Sequence, residues 1–325
     1  MTNKLWKVNI FLIIIFSVLL TVTYFLYNEY RLLYQNQKLI TPFVEDITSN
    51  IFPTPVSTST PLPKLTEIIL TGDVMLGRSV MKESYEVGDY SYPFRKVYKE
   101  LKEADLVFVN LENPIIKDCP IIVGGFKFCG SYEMLEGLKL SGIDVVSLAN
   151  NHSRNFGEEG VNETVTVLKS INISATGLSN LIVKEVGGIK YGFLGFDFVS
   201  NAPKESDFAL VKESNNQVDV LIVGVHWGNE YKDKPNDYQV AWANLLIESG
   251  ADVISGHHPH WVQTIDYING KPVYYSLGNF IFDQMWSEET KKGMIVKLFF
   301  VKDKLIREEF LPTYMSSWAQ PEFVD

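Results

Sequence analysis

The chain has 325 residues, 46% of them apolar and 21% charged, an ordinary globular balance that rules out disorder as the overall state. Such a length supports one large domain or two small ones with a sizeable core. A formal charge of −10 argues against a nucleic-acid partner, which would need clustered Lys and Arg to neutralise phosphates.

Lys4 and Lys7 precede residues 8–28, VNIFLIIIFSVLLTVTYFLYN, 21 residues without a formal charge. As a helix this run is about 30 Å long, the thickness of a bilayer hydrocarbon core. A signal-peptide core is shorter, roughly 7–15 residues, and ends at small residues for cleavage, whereas this run ends YFLYNEYRLL. The favoured reading is an uncleaved signal anchor, with a cleaved signal peptide as the alternative. Arg31 and Lys38 nearly balance the flanking charge, but a short basic tail (residues 1–7) stays cytoplasmic while a long following domain is translocated largely regardless of charge. The expectation is a single-pass protein of the cell membrane with its C-terminal domain extracytoplasmic. Residues 29–64 then form a linker, in which Thr41 to Pro63 holds five prolines and eight Ser or Thr, a composition that favours an extended, semi-rigid stalk.

The folded domain is expected over residues 65–325. Short β-rich runs, EIILT, DLVFVN, DVVSLA, YGFLGF, VDVLIVGV and ADVISG, alternate with helical patterns, which is an α/β signature. Helices are predicted in PFRKVYKELKEA, with Pro in the first turn, in GEEGVNETVTVLKSI, and in PNDYQVAWANLLIESG, capped by Gly250. The last third, KPVYYSLGNFIF, GMIVKLFFV and KLIREEFLP, reads as successive strands with a hairpin at VKDKL, so the sheets are expected to be mixed. Cys119 and Cys129 flank PIIVGGFKF, whose adjacent glycines suit a turn; in an oxidising compartment they pair, and two free buried thiols are the alternative.

Five apolar strands each end in a carboxylate, amide or imidazole: Asp73, then Asn110 and Glu112, then Asn150, Asn151 and His152, then His226, then the cluster GHHPHWVQ (Gly256 to Gln263). All five histidines of the chain lie at these strand ends. Ligands of open α/β sheets bind beyond the carboxyl ends of strands, where loops converge. Carboxylates, an amide oxygen and imidazoles, without thiolates, suit Mn, Fe or Zn, in a centre of one metal or two. If the segment after Gly256 is extended, His258 and His260 project to one side and His257 to the other, which would make His257 the least consequential of the three.

In this order TGDVMLGR, VNLENP, LANNHSRNFG, VHWGNEY, GHHPHWVQ and YSLGNFIFD resemble the bacterial capsule synthesis protein CapA family, also called the poly-gamma-glutamate capsule family, across about residues 65–312. That family is similar in fold to the calcineurin-like metallophosphoesterases. The resemblance implies a four-layer α/β/β/α sandwich with mixed sheets, divalent metal ions, and metal ligands at Asp73, Glu112, Asn151, His226, His258 and His260. It also implies His152 as the acid that protonates a leaving group. Met75 stands where the phosphoesterase pattern carries a ligand histidine, and a thioether is a poor donor to a hard cation. Asn155 stands where an acidic residue is expected. Arg78 and Arg154 are candidates to hold an anionic substrate by bidentate contact, or to pair with nearby acids. The Ser276 to Phe280 segment is expected to pack close under the site without taking part in chemistry.

These readings lead to a membrane-anchored, extracytoplasmic metal-dependent hydrolase-like protein in capsule or cell-wall polymer biosynthesis. Its substrate would be an anionic polymer or phosphoester, and its partners other capsule-synthesis membrane proteins. A non-catalytic polymer-binding or scaffold accessory is the alternative, and a γ-glutamyl or peptide-bond hydrolase on the same site a third reading.

Overall fold

The structure, a computed structural model, describes residues 65–324. The expected tail, membrane span and linker lie outside the described residues, and among these no helix is long and apolar enough to cross a membrane. The run LTEIILTGDV forms β1 (Leu65–Val74), and from Ile68 on every residue in it is buried, as a strand covered on both faces requires. There follow α1 (Arg78–Val87), α2 (Tyr98–Glu103), β2 (Leu106–Leu111), α3 (Leu135–Leu140), β3 (Val145–Ser147), α4 (Gly157–Ser170) and β4 (Ser174–Thr176). The second half continues with β5 (Ile182–Val186), β6 (Ile189–Asp197), α5 (Glu205–Asn215), β7 (Val220–His226), α6 (Asp237–Ser249) and β8 (Val253–His257). It closes on strands alone: β9 (Ile265–Ile268), β10 (Lys271–Tyr274), β11 (Asn279–Ile281), β12 (Lys292–Val301), β13 (Lys304–Ser317) and β14 (Gln320–Phe323).

Both sheets are mixed. The first has eight strands in the order β14-β13-β12-β1-β2-β3-β4, with β11 also on β1; β1 to β4 run parallel and β12 to β14 antiparallel. The second has six, β5-β6-β7-β8-β10-β9, parallel through its centre and antiparallel at both edges. Between the sheets lies one apolar layer, in which Ile68, Leu70 and Phe108 of the first meet Tyr191, Phe193 and Ile222 of the second. The Phe108 and Phe193 rings stand 5.4 Å apart at its centre. Helices α1 to α4 cover the outer face of the first sheet with Val80, Leu101, Leu138 and Leu168, and α5 and α6 cover the second with Val211 and Leu246. The order of layers is α/β/β/α.

Local chemistry explains the ends of these elements. Asn236 caps α6 by accepting the Gln239 N–H (2.9 Å), the Gln239 side chain returns a bond to the Asn236 N–H (3.0 Å), and Gly250 ends the helix at φ 120°. The expected helix at Pro93 starts later: Pro93 lies in a 3-10 turn (Tyr92–Phe94) and α2 begins at Tyr98. The sequence reading also omitted α1, α3 and α5.

Strand register positions the site. Asp73 pairs with Asn110 on one side and with Asn279 on the other. Across β6, β7 and β8 the register aligns Asp197, His226 and His257 in one row. Gly72 permits the close passage of β1 beside the Leu277–Gly278 backbone, since a Cβ there would stand 2.2 Å from the Gly278 carbonyl oxygen.

Candidate metal centre

The C-terminal ends of strands from both sheets meet around two buried carboxylates, Asp73 and Glu112. Asp73 Oδ1 accepts from Asn110 Nδ2 (2.9 Å) and lies 3.3 Å from His257 Nδ1. Its Oδ2 accepts the His258 backbone N–H (3.3 Å) and lies 3.2 Å from His260 Nδ1. Glu112 Oε1 stands 3.9 Å from both His226 Nε2 and His260 Nε2. Asn110 sits at the centre of this group: its Nδ2 also lies 3.5 Å from Glu112 Oε2 and 3.4 Å from His226 Nδ1, while its Oδ1 accepts from Asn150 Nδ2 (3.1 Å).

The imidazoles surround the pair. His226 is fully buried, with Nε2 3.1 Å from Asn151 Oδ1 and its ring 4.8 Å from that of His258. Asn279 Oδ1 lies 3.0 Å from His260 Nδ1, and the Gly278 carbonyl accepts the Asp73 N–H (2.9 Å), so the Ser276 to Phe280 segment supports the site from below. The histidine cluster differs from the expected extended segment. Strand β8 ends at His257, and His258 (φ 94°) and His260 (φ 58°) occupy the left-handed region. His257, the last residue of β8, stands against Asp73 rather than away from it, the turn sets His260 beside the same carboxylate, and all three histidines are buried. The expectation that His257 matters least rested on extended geometry that the chain does not adopt there.

Burial and mutual charge drive the protonation of these groups apart. Burial pushes Asp73 up, but hydrogen bonds from His257 and His260 and their charge outweigh it and hold the carboxyl well below the usual range. Burial raises Glu112 well above that range, and the neighbouring Asp73 charge raises it further. The two carboxyls are thus shifted in opposite directions. Desolvation, followed by the charge of His258, lowers His226, and desolvation together with His260 lowers His258 to about 3. Both rings are neutral near pH 7, the form that coordinates metal.

His152 stands at the rim, half-buried, its ring 4.2 Å from that of Phe128 and its Nδ1 3.3 Å from Asn155 Oδ1. The expected acid is replaced by an amide whose oxygen also accepts the Phe128 N–H (2.9 Å). Arg78 pairs with Asp283, donates to the Gly125 carbonyl (2.8 Å) and lies 4.5 Å from the Phe128 ring centre. Arg154 is exposed and pairs with Glu158 at 2.7 Å, the bland alternative for that residue. A disulfide joins Cys119 to Cys129 and closes the loop that carries Gly125 and Phe128.

The donor set fits a divalent cation. Oxygen and nitrogen donors converge without thiolates, and one ligand atom each from Asp73, Glu112 and His260 all lie within 4.8 Å of one another. His258 Nδ1 is buried with no hydrogen-bond partner, which metal coordination would satisfy. Met75 is not among the donors: it is fully buried in the apolar cluster of the first sheet, and its sulfur accepts the Gly77 N–H (3.1 Å). Sequence reasoning named Asn110 without its central role, and missed Asn279 and Asp283. Their signal was present in SLGNFIFD, whose polar residues sit inside an apolar run.

The sequence model of the bacterial capsule synthesis protein PGA_cap family matches residues 67–284. The capsule biosynthesis protein CapA of Bacillus anthracis is 32% identical over 263 residues, 72% of this chain and 63% of that protein, so the chain spans less than two thirds of that relative. The PGA biosynthesis protein CapA of Bacillus subtilis (strain 168) is 31% identical over 265 residues, 74% of this chain and 69% of that protein. A hypothetical protein from Thermus thermophilus shares the fold at a TM-score of 0.51 and 14% identity, covering 76% of this chain and 98% of that one.

Proposed function

The chain belongs to the bacterial capsule synthesis protein PGA_cap family, and from that premise we propose that it is a metal-dependent hydrolase of capsule polymer biosynthesis. The polymer is of the poly-gamma-glutamate type, the domain has a metallophosphoesterase-like fold, and it works outside the membrane on an N-terminal anchor and stalk. The single observation that carries the chemistry is Glu112 Oε1, equidistant at 3.9 Å from histidines of two different strand ends, beside the second buried carboxylate of Asp73. Asp73, Glu112 and His260 would hold one cation, and His226, which contacts Asn151 and the His258 ring, stands 3.9 Å from Glu112 Oε1. A divalent metal bound there polarises an ester or acyl oxygen and acidifies water.

The chain's own residues complete the site. Asn110 ties both acids in place. Asn155 Oδ1 accepts from His152 Nδ1, which makes Nε2 the ring nitrogen that would take up a proton and pass it to a leaving group. Burial lowers His152 and favours its neutral ring, so it would serve as an acid only from the charged form, which gives up its proton readily. Arg78, fixed by Asp283 and Phe128, lines the rim with a buried Nε that has no partner, suited to an anionic group of the substrate.

A scaffold or polymer-binding accessory is the second reading, favoured by the disulfide loop, whose Ile121, Ile122, Val123 and Phe126 are exposed. The deciding experiment measures bound metal and tests the purified protein on phosphodiesters and γ-glutamyl peptides, wild type against His152→Ala and His258→Ala. The hydrolase reading expects His152→Ala to keep its metal and lose turnover, and His258→Ala to lose metal. Full metal content in His258→Ala removes the site assignment, while metal binding without turnover of any substrate leaves the accessory role.

A further inference from the structure

Strand β1 contributes only Asp73 to the centre, because Met75 two residues on is packed into the core, so Asp73, Glu112 and His260 alone offer three protein donors on that side. One further acid approaches from the solvent side. Ligand atoms of Glu230, His258 and His260 also lie within 4.8 Å of one another, close to the roughly 4 Å spanned by donors about 2.1 Å from a shared cation.

Glu230 is held there by its loop. On one side of it, Trp227 is fully buried, its N–H donating to the His257 carbonyl (3.1 Å) and its ring Nε1 to the Tyr275 carbonyl (2.8 Å). On the other, the Tyr231 N–H donates to the Pro259 carbonyl (2.8 Å), between His258 and His260. Gly228 (φ 84°) and Tyr231 (φ 59°) both take the left-handed conformation, which a non-glycine residue adopts only at a cost when its surroundings fix it. This bend brings an exposed carboxylate against two buried imidazoles. A second, separate observation points to a ligand: His258 is only 6% exposed, yet its Nδ1 has no hydrogen-bond partner.

Resting on the metal-centre reading above, we propose that Glu230 is a metal ligand that closes the centre from the solvent side, together with His258 and His260. An added carboxylate makes the donor set harder and favours Mn2+ over Zn2+ relative to a site of imidazoles alone. Exposed as it is, Glu230 lies where it can release and recapture the cation without any rearrangement of the buried donors.

Mn2+ binding to the full-length chain, purified in detergent, tests this by calorimetry at low salt and in about 0.5 M NaCl, where exposed charges are screened within about 5 Å. Glu230→Gln is expected to weaken Mn2+ binding at least tenfold at both salt concentrations while leaving the melting temperature of the metal-free protein unchanged. Equal affinity in Glu230→Gln and wild type overturns the proposal. A loss seen at low salt that vanishes at high salt also overturns it, since Glu230 would then act as a distant charge. Wild type that binds no Mn2+ or Zn2+ at all overturns the metal reading itself, a result distinct from the other two.

Discussion

Replacing Gly72 with Ala probes how the fold sets the geometry of the centre. The new Cβ would lie 2.2 Å from the Gly278 carbonyl oxygen and 2.8 Å from that of Leu277. Ordinary contact begins at 3.4 Å, so β1 and the 277–278 backbone must part by about 1.2 Å, and both obstacles are main chain that no rotamer change can move. That gap is bridged by the Asp73 N–H to Gly278 carbonyl bond, and next to it Asn279 holds His260. Overpacking of this kind costs about 1–3 kcal/mol, which lowers the melting temperature of a domain this size by roughly 2–12 °C. Displacement of a positioned group by about 1 Å commonly costs on the order of 100-fold in function. Differential scanning calorimetry of the metal-free protein and Mn2+ titration of the same sample measure the two effects. An unchanged melting temperature with unchanged metal affinity refutes the close-passage argument, and a stability loss with intact affinity refutes the coupling of Gly278 to the ligands.

Metal removal by a chelator lowers the melting temperature, because a ligand at about 100 times its Kd stabilises the folded state by about 2.7 kcal/mol; Asp73→Asn, which removes a central donor, should abolish this difference in thermal scans. The metal-free protein loses stability on acidification from pH 6.5. His226 and His258 stay neutral in the fold (His258 down to about 3), while in the unfolded chain they take protons below 6.5, so each lost pH unit costs about 1 kcal/mol per ring. Glu112, raised in the fold, works in the opposite sense above pH 4.5, leaving a net loss that urea midpoints at pH 7 and 5 would register; equal midpoints contradict the neutral-ring assignment. Cys119→Ser with Cys129→Ser opens a loop ten residues in sequence separation and removes about 3 kcal/mol of loop-closure stabilisation, read in denaturant unfolding, with faster proteolysis between residues 120 and 127. His257→Ala should reduce metal affinity, since it removes the 3.3 Å neighbour of Asp73 Oδ1; calorimetry showing wild-type affinity would return His257 to the dispensable role its spacing first implied.

The parts of this fold legible in the sequence are those that local chemistry decides. VDVLIVGV and ADVISG are apolar on both faces, so they could only be central strands, and the polar residue ending each run had to lie at the sheet edge. Asp73, Glu112 and His226 were found that way, and the structure brings them together. What stayed hidden depends on contacts between distant segments. Asn110 lies within β2 and reads as an ordinary strand end until Asp73, 37 residues away, is set beside it. The extended reading of His257 failed because His258 and His260 take left-handed conformations, in a turn where the Tyr231 N–H bonds the Pro259 carbonyl between them. Arg78 was legible as a charge but not as the partner of Asp283, 205 residues on.

The two carboxylates hang from the first sheet, while His226 and the histidine turn hang from the second, and among the described residues no strand ladder joins the two sheets. The apolar layer around Phe108 and Phe193 sets the spacing of the two halves together with the Leu277 backbone, which donates to Gly256 of β8 and accepts from Met294 of β12. A methyl group gained or lost there shifts one jaw of a vice against the other, some distance from any donor atom. If the proposed cation binds there, its preference would be open to substitutions that never touch a ligand, and a cation gripping both jaws would gauge how well two greasy surfaces have mated.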